Sequence, residues 1–148
     1  MPGPFAIDAS VFLNAFLPAE TGSETSKELL AQLQSQAIPI VSPVWLLPET
    51  AAAISRGQND TELARQFAGA LQRLPHLVLI PLDQVLARQA VDIAASHRLR
   101  GSDAIYAAVA QRFACPLVTL DREQHDRAAG LLQTFYPANL LDFLNSSR

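Results

Sequence analysis

Short apolar runs that end on an acid, alternating with stretches of helical periodicity, constrain this chain more than any other feature. Phe5-Ala6-Ile7 stops at Asp8, and Leu117-Val118-Thr119-Leu120 stops at Asp121. Runs this short and this apolar read as strands buried on both faces. Further strands are expected at residues 38–42, 77–80 and 132–135. Helical patterns fill the intervals: 11–17, 25–36, 44–56, a segment ending near 73, 84–97, 103–113, a short one from 121, and 138–145. Thr25 with Glu28 and Asn59 with Glu62 have capping-box spacing, and Ser102 is placed to cap the helix that begins at Asp103. Pro48 is compatible with a helix only in its first turn. Strands alternating with helices predict an α/β fold with a mostly parallel sheet. No repeat, low-complexity tract or linker divides the chain, so one domain over residues 1–148 is expected.

Composition narrows the function classes. With 49% apolar and 17% charged residues, the 148-residue chain is long and apolar enough to bury a core without a staple. Cys115 is the single cysteine, which excludes a disulfide scaffold. The longest apolar stretches, such as 38–48, are cut by prolines and a serine. They fall short of the ~20 residues that a membrane span needs. No Lys or Arg precedes Lys27, so no secretion signal is read and the cytoplasm is the expected compartment. Eleven Lys+Arg against 14 Asp+Glu give a formal charge of −3. That balance argues against unselective nucleic-acid binding. The glycines form no phosphate-cradling loop. His76, His97 and His125 lack metal-ligand spacing. Cys115 reads as buried and inert, and Trp45 and Tyr106 read as core or interface aromatics.

Most acids are ordinary surface or capping residues, but four are placed differently. Asp8 and Asp121 follow strands, where open α/β sheets bind their ligands; each could instead cap the next helix, Asp121 through Gln124. Ser10 could serve as that cap or orient Asp8. Glu49, among small and apolar neighbours, either snorkels beside Trp45 or needs a buried partner or a metal. Asp103 occupies a first helical turn, where the macrodipole favours an acid, but the alanine-rich helix that follows looks core-facing. Parallel strand ends and the helix N-termini that follow them share one edge of a sheet. Carboxylates collected there repel one another. A hard divalent cation removes that cost, so the set favours a metal site over an acid/base dyad.

In this order and context the four acids resemble those of the PIN-domain nucleases. The motifs are Ile7-Asp8-Ala9-Ser10, Pro48-Glu49 with its alanine-rich helix, Gly101-Ser102-Asp103-Ala104-Ile105-Tyr106-Ala107-Ala108, and Leu117-Val118-Thr119-Leu120-Asp121. Within the family the likeness is greatest to the small toxin of VapBC-type toxin–antitoxin pairs. The resemblance implies a three-layer α/β sandwich, its mostly parallel central sheet flanked by helices. It implies an endoribonuclease in which Asp8, Glu49, Asp103 and Asp121 are the catalytic metal ligands for Mg²⁺ or Mn²⁺, with water as nucleophile. Ser10 and Thr119 are then supporting polar groups, and Glu123 and Asp126 are candidates for a further ligand. Arg98, Arg100, Arg112, Arg122 and Arg127 flank the third and fourth motifs and are candidate RNA contacts, or ordinary solvated arginines. Implied partners are an RNA substrate, a small antitoxin protein and a second copy of the chain. The alternatives are a catalytically silent PIN-like binding module and a nuclease of RNA processing or decay. A phospho-acceptor domain is set aside, because it needs a late lysine and Lys27 is the only lysine here.

Overall fold

The computed structural model describes residues 3–146; residues 1, 2, 147 and 148 lie outside it. Five short strands, β1 (Phe5–Ile7), β2 (Ile40–Pro43), β3 (Leu77–Ile80), β4 (Leu117–Val118) and β5 (Thr134–Phe135), form one sheet in the order β3-β2-β1-β4-β5. Every pairing is parallel, with Phe5 opposite Ile40 and Ile7 opposite Val118. The helices are α1 (Ala9–Phe16), α2 (Ser23–Ser35), α3 (Leu46–Gln58), α4 (Thr61–Gln72), α5 (Gln84–His97), α6 (Gly101–Arg112), α7 (Arg122–Ala128) and α8 (Pro137–Ser146). The expected α/β architecture, a parallel central sheet flanked by helices, is the one observed.

The strand order positions the site. The chain leaves β1, runs outward through β2 and β3, then returns to the other side of β1 as β4. The β1/β4 boundary is therefore a topological switch point, where a crevice opens beyond the carboxyl ends of the strands. Asp8 and Thr119 are the first residues past β1 and past β4.

All three residues of β1 are buried, as are Ile40, Val41, Leu117 and Val118. Helix α6 packs on β1, β2 and β4. Its sequence explains how: Ala104, Ala107, Ala108 and Ala110 are fully buried, and their small side chains let the helix approach the strands closely. The same helix is apolar on nearly every side, because α5 covers another of its faces.

Three expected helix starts are displaced. Helix α2 begins at Ser23, after Gly22 at φ +84°, so Thr25 lies inside it. Asp60, not Asn59, caps α4, accepting from Leu63 N at 2.9 Å. Asn59 is left-handed and closes α3. Helix α6 begins at Gly101 with Arg100 in the cap position, so Ser102 caps nothing. At α2 and α4 a local alternative won: a left-handed glycine, and an aspartate one position on. Pro48 is in the first turn of α3, as expected. Trp45, read as a core or interface aromatic, is 39% exposed at the entrance to α3.

The packing of α6 has a measurable consequence. Ala107→Leu should destabilise the protein by about 1–3 kcal/mol in urea denaturation, because extra methylenes have no room there. Val85→Ala on α5, where Val85 is 64% exposed, should stay within about 0.5 kcal/mol of the parent. Equal effects from the two would contradict close approach of α6 to the sheet.

Candidate functional site

Asp8 is 4% exposed, directly beyond the central strand. It is both the N-cap of α1 and the centre of a hydrogen-bond network. Its Oδ1 accepts from Ser10 N at 3.1 Å and from Ser10 Oγ at 2.5 Å. Its Oδ2 accepts from Thr119 Oγ1 at 2.7 Å. Ser10 Oγ in turn accepts from Leu120 N at 3.0 Å, which ties α1 to the end of β4. Thr119 has one hydroxyl proton and two acceptors, Asp8 and Gln124 Oε1 at 3.0 Å. The shorter bond to the carboxylate takes it, since charge-assisted bonds are the stronger. Ser10 and Thr119 thus each hold one oxygen of Asp8.

The other three acids arrive from separate elements. Glu49, in the first turn of α3, is half-buried, and its Oε1 accepts from Tyr106 Oη at 2.6 Å. Asp103, in the first turn of α6, is 7% exposed and accepts from Arg100 Nε at 3.1 Å through Oδ2. Asp121 caps α7, its Oδ1 accepting from Gln124 N at 2.9 Å. Its Oδ2 accepts from Arg100 Nη2 at 2.6 Å.

The electrostatics show that these acids share a neighbourhood. Burial pushes the Asp8 carboxyl up to about 7, against the bonds from Ser10 and Thr119, and the charges of Asp103 and Glu49 add to the rise. Burial likewise raises Glu49, with Tyr106 opposing and Asp103 adding. Asp103 is raised by burial, opposed by Arg100, with Asp121 and Glu123 adding. Burial and the Glu49 charge hold the Tyr106 phenol well above its ordinary range, so it stays a neutral donor. Among the described residues, no three His, Cys, Asp or Glu side chains form a preformed metal cluster. Each acid is instead held by its own donor: Asp8 by Ser10 and Thr119, Glu49 by Tyr106, Asp103 and Asp121 by Arg100. Even so, the donors are all hard carboxylate oxygens, and Asp103 acts electrostatically on each of the other three or is acted on by it. That chemistry fits a hard divalent cation.

Two residues here escape a reading for acids alone. Tyr106 lies three positions after Asp103, so one face of α6 carries both. That spacing was the available signal, but a tyrosine in an alanine-rich helix reads as core. Gln124 is fully buried, its Nε2 donating to the Asp103 carbonyl at 3.3 Å; only its spacing from Asp121 hinted at it. Glu123 pairs with Arg127 at 2.6 Å and reaches the site through its charge alone. Asp126 pairs with His125, which stacks on Tyr136. Among the described arginines, only Arg100 bonds any of the four acids. Arg112 pairs with Asp83. Arg127 donates to the Arg98 carbonyl. Arg98 and Arg122 are exposed. Burial pushes the Cys115 thiol up to about 11, which suits an inert core thiol.

The raised Asp8 carboxyl couples stability to pH. A carboxyl with a folded-state pKa above its unfolded value of 3.8 binds its proton more tightly when folded. Its stabilising contribution is complete below the unfolded value and is lost as pH rises through about 7. In chelator, the melting temperature should therefore fall between pH 5.5 and 8.5, and Asp8→Asn should flatten that fall. A variant with the parent's full pH slope would show that Asp8 does not carry it.

The chain is similar to several solved structures. Against the Mycobacterium tuberculosis toxin VapC20, which cleaves the sarcin-ricin loop, the TM-score is 0.69 at 17% identity, covering 87% of this chain and 96% of that one. Against VapBC2 from Rickettsia felis, solved on a DNA fragment from its promoter, it is 0.68 at 13% identity, covering 89% and 97%. Against FitAcB from Neisseria gonorrhoeae it is 0.67 at 16% identity, covering 91% and 99%. At these identities the likeness is one of fold. No curated protein matches the chain. The family model described as "PIN domain" matches residues 5–131, which span β1, the four acids and α7. The chain belongs to the PIN-domain family.

Proposed function

We propose that this chain is a single-domain, divalent-metal-dependent endoribonuclease, and the toxin of a toxin–antitoxin pair. What supports the reading is that Asp8, Glu49 and Asp103 interact beyond the strand ends near the β1/β4 switch point, where the charges of Asp103 and Glu49 raise the Asp8 pKa and that of Asp103 raises Glu49. Asp8, Glu49 and Asp103 all have raised pKa values there, and Arg100 spans Asp103 and Asp121. A silent binding module has no reason to keep mutually repelling acids in a network of dedicated donors. Membership of the PIN family supports nuclease activity. The RNA-cleaving toxin among the structural neighbours supports RNA as substrate. Neighbours solved as toxin–antitoxin complexes, including one from Klebsiella pneumoniae, support an antitoxin partner. Among the described residues no helix is long and apolar enough to cross a membrane.

In this reading Asp8, Glu49, Asp103 and Asp121 hold Mg²⁺ or Mn²⁺. When bound, the ion activates water and neutralises charge building on the phosphodiester. The chain supplies everything else. Ser10 and Thr119 fix both oxygens of Asp8. Tyr106 donates to one oxygen of Glu49 and leaves the other free. Helix α7, capped by Asp121 Oδ1, leaves Oδ2 turned toward Asp103 and Arg100. Arg98, Arg100 and Arg122 are exposed, and their guanidinium forks would suit phosphate.

Asp103→Asn should lower Mn²⁺-dependent cleavage of structured RNA at least ~100-fold, the scale expected on losing a metal ligand, while circular dichroism stays at the parent's. EDTA should stop the parent and Mn²⁺ should restore it. Cleavage at the parent rate by Asp103→Asn, or cleavage that survives chelation, would overturn the assignment. Expressed alone, the parent should arrest growth and Asp103→Asn should not. An active enzyme that leaves growth untouched would favour RNA processing or decay over a toxin.

A further inference from the structure

Arg100 stands at the entry to α6 with extended backbone, and no side chain caps the helix there. Its guanidinium donates through Nε to Asp103 Oδ2 and through Nη2 to Asp121 Oδ2. The three side chains differ in exposure: 63% for Arg100, 11% for Asp103 and 28% for Asp121. The cation thus caps the pair from the solvent side. Among the described residues no other cation pairs with Asp8, Glu49, Asp103 or Asp121. The Asp121 oxygen that Arg100 engages is the one left over once Oδ1 has capped α7.

We propose that Arg100 is a displaceable internal counter-cation, which competes with the divalent ion for Asp103 and Asp121 and is released to the RNA backbone when that ion binds. The proposal rests on the metal-dependent reading above. Guanidinium and metal want the same carboxylate oxygens, and two cations a few ångströms apart repel. Coupling of this kind is reciprocal: whatever factor the metal costs Arg100, Arg100 costs the metal. An arginine freed at the exposed rim keeps its planar fork of donors, and a phosphate matches that fork. Arg100 would thus be a positioning residue for the metal ligands before binding and a phosphate contact afterwards.

The test is calorimetric titration of Mn²⁺ into RNA-free protein. Arg100→Gln should tighten Mn²⁺ binding about tenfold, within the usual range for coupling between sites. Arg100→Lys keeps a charge but loses the fork, so it should fall between the two. Arg122→Gln removes a nearby charge that makes no ion pair among the described residues, and should change affinity less than about twofold. In EDTA, Arg100→Gln should melt below the parent, and Mn²⁺ should raise its melting temperature by more than it raises the parent's. Mn²⁺ binding equal to or weaker than the parent's in Arg100→Gln would overturn the proposal and leave the metal site standing. If Arg100→Gln fails to fold, Arg100→Lys decides by the same direction of change. A parent that takes up no Mn²⁺ would overturn the metal reading itself, and this proposal with it.

Discussion

Repulsion between carboxylates gathered beyond the central strands is the constraint around which the rest of the site is arranged. The strand order places Asp8 and Thr119 side by side across the β1/β4 boundary. First turns of α3 and α6 bring Glu49 and Asp103 into the same field. Such a collection is costly without compensation, and the chain compensates locally. Each acid is bonded to a donor of its own: hydroxyls for Asp8, a phenol for Glu49, a guanidinium for Asp103 and Asp121. For Asp8, Glu49 and Asp103 these bonds oppose the rise in pKa without abolishing it, because burial is the larger effect. The remaining imbalance is what the proposed divalent cation would relieve.

Fold and site are coupled through α6. Its buried alanines let it lie close to β1 and β2. That approach carries Asp103 and Tyr106 toward Asp8 and Glu49. A bulkier helix would move the acid as well as the core, so the alanines are structural and positional together. Gln124 plays a comparable part at the other end, its buried Nε2 donating to the Asp103 carbonyl from inside α7.

Much of this was legible in the sequence. Periodicity and the placement of apolar runs located all five strands, with β3 and α5 matching to the residue. Strand-end acids exposed Asp8 and Asp121, because a polar residue after a buried run has few roles. Helix starts were less legible: Gly22, Asn59 and Asp60 compete with neighbours of equal capping propensity, and backbone handedness decides between them. Tyr106 and Gln124 were hidden for a different reason. Their roles depend on partners 57 and 21 residues away, which no local pattern encodes. Arg100 was visible as a cation near the motifs, but its bridge between two acids exists only in three dimensions. Trp45 reads as a core or interface aromatic, and the turn into α3 leaves it 39% exposed.

The central proposal is that the acids at the switch point together form a divalent-cation site. The direct measurement is an anomalous difference map from crystals grown with Mn²⁺. The account predicts a single region of density bordered by Asp8, Glu49, Asp103 and Asp121, with the Arg100 guanidinium withdrawn from Asp103 and Asp121. Density elsewhere, or none with those four side chains unchanged, would contradict it.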